Sequence, residues 1–176
     1  NEKFQAVGNG GWGGAISYSG LSTGLARGYA APSTDMGHQG AAGQIPLGHP
    51  EKLTDFAYRA THELTVQAKT IINAFYGRPS KFSYFEGCSG GGRQALKEVQ
   101  KYPNDFDGIV AGAPANDWTH LTTQALWAAL ATRSDSSSMI PREKVRMIHD
   151  AVLKACDPID RVSDGVLENP TQCHFH

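Results

Sequence analysis

Cysteine is scarce and odd in number, charge is nearly balanced, and no apolar run is long. The 176 residues hold 3 Cys, 16 Lys+Arg against 17 Asp+Glu, and a formal net charge of -1. Such a balance removes the electrostatic footprint of a nucleic-acid binder, and no like-charge block offers a basic arm or an acidic tail. The apolar runs stop far short of the roughly 20 residues that a bilayer span requires. Neither nucleic acid nor membrane is therefore expected as a partner. With 40% hydrophobic and 19% charged residues, the composition is that of a soluble globular chain rather than a disordered one. At this length about 70% of the unfolded surface is typically buried, so no disulfide scaffold is needed to fold.

The odd cysteine count leaves at least one thiol free or paired outside the chain. Cys156 and Cys173 bracket a short acidic loop that a disulfide would close, as in exported proteins; two reduced, buried thiols are the alternative. Cys88 stands alone beside Ser89.

Glycine and proline, at 20 and 9 residues, punctuate the chain. Lys3 to Val7 alternates polar and apolar residues and reads as a strand running into Gly8-Asn9-Gly10-Gly11-Trp12-Gly13-Gly14. Gly28 to Ala31 is a second short apolar run, and a Gly- and Pro-rich loop continues to Pro50. From Thr54 to Phe75 the residues Phe56, Ala60, Leu64, Ala68 and Ile72 recur every fourth position, the mark of an amphipathic helix that Gly77 and Pro79 stop. Phe82 to Phe85 reads as a strand, Arg93 to Tyr102 as a helix with Ala95, Leu96, Val99 and Tyr102 on its apolar stripe, and Asp107 to Gly112 as a strand. Alternation of this kind predicts an α/β fold with about four parallel strands covered by helices. Two further helices are expected at about Leu121 to Thr132 and Pro141 to Ala155, with an irregular tail from Cys156.

Gly87-Cys88-Ser89-Gly90-Gly91 satisfies the nucleophile-elbow pattern G-x-S-x-G, with a strand before it and a helix after. In such a turn the serine occupies a strained backbone position, and the flanking glycines let strand and helix approach closely. Ser89 is the candidate nucleophile, and the Gly90 N–H at the helix N-terminus is one candidate oxyanion donor.

Two explanations compete for the Gly8 to Gly14 loop. Gly8-x-Gly10-x-x-Gly13 with Asp35 further on matches the dinucleotide-binding fingerprint, which needs a helix starting at the loop. Gly14, Gly20 and Gly24 interrupt the segment that follows and leave it without a helical stripe. The preferred reading makes Gly10 and Gly11 the source of the second oxyanion donor.

Asp157, Asp160 and Asp164, with Gly165 and Glu168, do not fit an EF-hand, because Ile159, Arg161 and Val162 stand where that loop needs oxygen ligands and glycine. The loop could hold a hard cation or be a solvated acidic turn. None of the histidines stands where the acid-then-histidine order of such a hydrolase would put its base, and each is expected to be structural or superficial.

The run Gly87-Cys88-Ser89-Gly90-Gly91-Gly92-Arg93-Gln94-Ala95-Leu96, with Tyr102-Pro103 and Asp105 through Ala115, resembles the tannase and feruloyl esterase family. Gly8 to Gly11, Ser33 to His38, Asp55 to Ala60, Phe75 to Gly77 and Cys156 through Pro170 extend the likeness over nearly the whole chain. The resemblance implies a partial α/β-hydrolase fold, with a core segment over 1–118 and the start of an inserted lid over 119–176. It implies a secreted or periplasmic serine esterase acting on esters of phenolic acids, such as feruloyl or galloyl esters, through an acyl-enzyme. It further implies structural calcium held by Asp157, Asp160 and Asp164 with the carbonyls of Val162 and Val166, and a disulfide from Cys88 to a cysteine beside a catalytic histidine outside this chain. The catalytic acid would lie outside too, so the chain is expected to be the middle of a longer enzyme and inactive alone. The alternatives are a noncatalytic calcium-binding module with a vestigial elbow and the dinucleotide-binding domain.

Overall fold

The computed structural model describes residues 2–175. The chain divides into two compact units, Asn1–Leu121 and Thr122–His176. The first is built on a three-stranded sheet in the order β1 (Lys3–Val7), β2 (Phe82–Cys88) and β3 (Gly108–Gly112). All pairings are parallel, with Lys3 opposite Phe82 and Tyr84 opposite Gly108. Parallel neighbours require crossover connections. The connection from β1 to β2 contains α1 (Tyr18–Ala26), α2 (Pro50–Thr54), a π-helical turn (Asp55–Arg59) and α3 (Ala60–Tyr76); that from β2 to β3 is α4 (Gly90–Lys101). The expected fourth strand is reduced to a single bridge, Ala30 against Phe4.

The sheet buries Phe4, Ala6 and Phe85 against Ala95 of α4 and Phe106, with Ala68 and Ile72 of α3 packed alongside. Phe106 enters from the turn before β3 and meets Phe4 at 6.1 Å and Phe85 at 5.5 Å between ring centroids. Burying such side chains contributes roughly 1.5–3 kcal/mol each.

Three helical segments also depart from the sequence reading. The segment after Gly14 does form a helix, α1, because its glycines serve close packing rather than a break. A Cβ on Gly20 would stand 2.6 Å from Val7 Cγ1, and one on Gly24 would stand 2.8 Å from Ala31 Cβ. The helix expected from Thr54 begins at Pro50 and is interrupted by the π-helical turn. The third departure is in α4, which starts at Gly90 rather than Arg93 and buries Gln94, Ala95 and Glu98 while Val99 remains exposed.

In the second unit, α5 (Trp118–Arg133) continues from the first, and α6 (Arg142–Cys156) follows. Cys156, at the end of α6, forms a disulfide with Cys173 across a separation of 17 residues. Closing a loop of that size stabilises the folded state by about 3 kcal/mol in the chain-entropy account. Short 3-10 turns at Asp157–Asp160 and Pro170–Gln172 interrupt the otherwise irregular tail. Among the described residues no helix is long and apolar enough to cross a membrane.

Candidate active site

Ser89 is the single residue between the end of β2 and the start of α4, and its backbone adopts φ 59° and ψ -113°. A non-glycine residue at such a positive φ is strained, and the surrounding structure must impose it. The restraints are visible. The Ser89 N–H donates to the Gly112 carbonyl at 3.0 Å, and the Ser89 carbonyl accepts from the N–H groups of Arg93 and Ala115, both at 3.0 Å. The elbow is thus held from β3 and from its own helix. A Cβ on Gly87 would lie 2.5 Å from the carbonyl carbon and oxygen of Gly91, so the two flanking glycines of the motif allow strand and helix to cross.

The Gly8–Gly14 loop lies against the start of that helix. A Cβ on Gly90 would meet the Gly11 carbonyl oxygen at 2.8 Å and the Gly11 nitrogen at 2.9 Å. The loop turns at Gly10, whose carbonyl accepts from the Gly13 N–H at 2.8 Å, with Gly11 at φ 56°. Ser89, Gly90, Gly10 and Gly11 are therefore brought together. The helix that follows the loop begins at Tyr18, and its first-turn N–H groups do not belong to the glycine loop as a dinucleotide-binding turn requires.

Arg93 and Gln94, one turn into α4, support both parts. The Gln94 side-chain oxygen, Oε1, accepts the Asn9 N–H at 3.0 Å. Arg93 donates to the carbonyls of Phe56 and Ala57 in the π-helical turn, at 3.0 and 3.1 Å, and its guanidinium lies 4.4 Å over the Phe56 ring. Burial pushes the Arg93 guanidinium below its ordinary pKa. Phe56 in turn stacks on Trp12 of the glycine loop at 4.8 Å. His38 is buried between the carbonyls of Trp12 (2.9 Å from Nε2) and Met36 (3.3 Å from Nδ1), so its ring fastens the same loop. Both of its ring nitrogens are thus engaged by backbone carbonyls. His62 Nδ1 lies 2.7 Å from Asp105, with its ring stacked 3.9 Å from Tyr102, and His120 Nδ1 lies 2.7 Å from Asp117 on the surface.

A family model described as tannase and feruloyl esterase matches residues 1–176. The chain belongs to the tannase and feruloyl esterase family. It is 40% identical over 173 residues to a protein named probable feruloyl esterase B-2 from Neosartorya fischeri, covering 98% of this chain and 33% of the relative. The crystal structure of feruloyl esterase B from Aspergillus oryzae matches with a TM-score of 0.92 at 36% identity, over 99% of this chain and 35% of that one. Tannin acyl hydrolase from Aspergillus niger matches with a TM-score of 0.83 at 28% identity, over 98% of this chain and 33% of that one. The chain thus spans about a third of the length of these family members.

Membership makes the partial α/β-hydrolase fold a finding, and the three-stranded parallel sheet with its flanking helices agrees with it. Cys88, next to Ser89, is exposed and unpaired among the described residues. In the second unit Asp160 accepts the Val162 N–H at 2.8 Å, Asp164 accepts the Val166 N–H at 3.1 Å, and Asp157 Oδ2 accepts the Gly165 N–H at 3.2 Å. Asp157 Oδ1 is buried without a hydrogen-bond partner. No group of three or more His, Cys, Asp or Glu among the described residues converges to hold a metal ion.

Sequence reasoning did not find Asn9, Gln94 or Glu98. Gln94 and Glu98 occupy the buried face of α4 as polar residues, and a stripe counted from apolar residues alone passes over them. The only signal was their i,i+4 spacing on the helix that follows the elbow.

Proposed function

We propose that the protein is a serine esterase of phenolic-acid esters, and that this chain supplies its nucleophile and oxyanion donors. The observation that carries the proposal is the strained Ser89 elbow, with Gly90 packed against Gly11. The Ser89 Oγ attacks the ester carbonyl carbon and gives its proton to a base. The carbonyl electron pair moves to oxygen, where the N–H groups of Gly90 and of the Gly10–Gly11 turn hold the negative charge. Collapse expels the alcohol and leaves an acyl-enzyme, which water hydrolyses to the phenolic acid and free Ser89. The base and its orienting acid are assigned to sequence beyond this chain, whose relatives are about three times as long.

The disulfide between Cys156 and Cys173 supports an exported protein. Cys88, exposed and unpaired among the described residues, is assigned a disulfide partner outside this chain, which would tie the nucleophile to the base. Calcium is assigned to the Asp157–Val166 loop on the family resemblance, supported by the orphaned Asp157 oxygen; Asp160 and Asp164 do not converge on that oxygen here and would have to turn toward it. Asp157, Asp160 and Asp164 with the carbonyls of Val162 and Val166 would hold it, and its charge would neutralise the acidic turn.

The test is steady-state hydrolysis of methyl ferulate and methyl gallate by the full-length protein. Ser89→Ala is expected to lose roughly 1,000-fold or more in kcat. Undiminished turnover in that variant would refute the assignment. Calcium is tested separately, by thermal melting with added calcium and with a chelator.

A further inference from the structure

We infer that Gln94 is a positioning residue for the oxyanion loop, its buried side-chain amide fixing where the N–H groups of Gly10 and Gly11 stand relative to Ser89. The inference rests on the proposed role of those groups. Gln94 is 3% exposed, and a buried amide costs free energy unless it is hydrogen-bonded. Its bonds go to one residue. Oε1 accepts the backbone N–H of Asn9 at 3.0 Å, and Nε2 donates to Asn9 Oδ1 at 3.4 Å. Asn9, also buried, spends its own side-chain donors on the carbonyls of Ala15 at 2.7 Å and Thr34 at 2.9 Å. It thereby ties both sides of the glycine loop to α4.

Gly10 and Gly11 have no side chains with which to hold a position, and glycine backbone is the least restrained of all. Asn9 immediately precedes them and is anchored to the same helix that begins with Gly90. Both proposed donors therefore take their positions from α4. Replacing the Gln94 acceptor with an apolar group leaves the Asn9 N–H buried and unpaired, and the loop relaxes away from the tetrahedral geometry it has to meet. Substrate binding in the ground state depends less on that geometry, so the loss falls on kcat.

The experiment uses the full-length protein and two readouts: hydrolysis of an aromatic ester, and inhibition by an arylboronic acid. The trigonal boron of that inhibitor accepts the Ser89 Oγ lone pair and becomes a tetrahedral anion. Folded Gln94→Met is expected to lose kcat about 30-fold, with KM within about twofold and a boronate inhibition constant that rises by a factor similar to the loss in kcat. If Gln94→Met does not fold, Gln94→Asn withdraws the acceptor by one methylene and carries the same expectation. Wild-type kcat in either variant, or a kcat loss with unchanged boronate affinity, overturns the inference. An active wild type with indifferent Gln94 variants refutes the clamp alone, whereas a wild type that neither hydrolyses the ester nor binds the boronate refutes the underlying esterase reading.

Discussion

Arg93 holds Phe56 twice: it donates to the Phe56 carbonyl at 3.0 Å, and its guanidinium lies 4.4 Å over the Phe56 ring. The π-helical turn that carries Phe56 thereby docks on the helix that begins at the elbow, and through Trp12 the same ring braces the glycine loop. Turns of this kind expose carbonyls that need a donor, and a planar guanidinium can satisfy two at once.

Arg93→Lys keeps the charge but loses the fork. It is expected to destabilise the protein by about 1–3 kcal/mol, measured by urea unfolding. Equal unfolding midpoints for the two proteins would show that the turn is held by other contacts.

A second prediction concerns pH. Glu98 on α4 is 1% exposed, and neither of its carboxylate oxygens has a hydrogen-bond partner. Burial, reinforced by the charge of Asp105, pushes its pKa from the ordinary 4.5 up to about 8. The folded state then holds a proton that the unfolded state gives up between those values. This contribution to stability is fully present below about pH 4.5, declines as pH rises, and is gone above about pH 8. Glu98→Gln is expected to flatten that decline and to be the more stable protein at pH 9 by several kcal/mol. Parallel pH–stability curves for the two proteins would contradict this.

The same helix shows why some of the structure was legible in the sequence and some was not. The elbow was legible because G-x-S-x-G records a steric fact: a Cβ on Gly87 would collide with the Gly91 backbone. Gln94 and Glu98 were not, since polar residues on a helix ordinarily face water. Glycine misled the reading of α1, where Gly20 and Gly24 make room for Val7 and Ala31 instead of breaking the helix. The π-helical turn was not legible, because two of its carbonyls are satisfied by Arg93, more than 30 residues away. The disulfide across the acidic loop was open in the sequence between two states and is formed in the structure.

The crossing at the elbow should tolerate no side chain. Gly87→Ala places a Cβ 2.5 Å from backbone atoms that cannot rotate away. A loss of about 3 kcal/mol or more is expected, read as a lowered unfolding midpoint together with lost activity. A variant of unchanged stability would mean that strand and helix separate more easily than the geometry indicates.

Removing the disulfide with Cys173→Ser is expected to cost about 3 kcal/mol. Amide hydrogen exchange should show the loss within residues 122–176, with α4 and the sheet unaffected. Uniform loss of protection would show that the two units unfold as one.

In the proposed reaction Ser89 becomes acylated. This is tested most directly by acid-quenching the full-length protein within milliseconds of mixing with an activated aromatic ester, then sequencing its peptides by mass spectrometry. An acyl adduct is expected on the peptide that contains Ser89, absent from Ser89→Ala. An adduct on another residue, or ester hydrolysis that persists at the wild-type rate in Ser89→Ala, would contradict this role of Ser89.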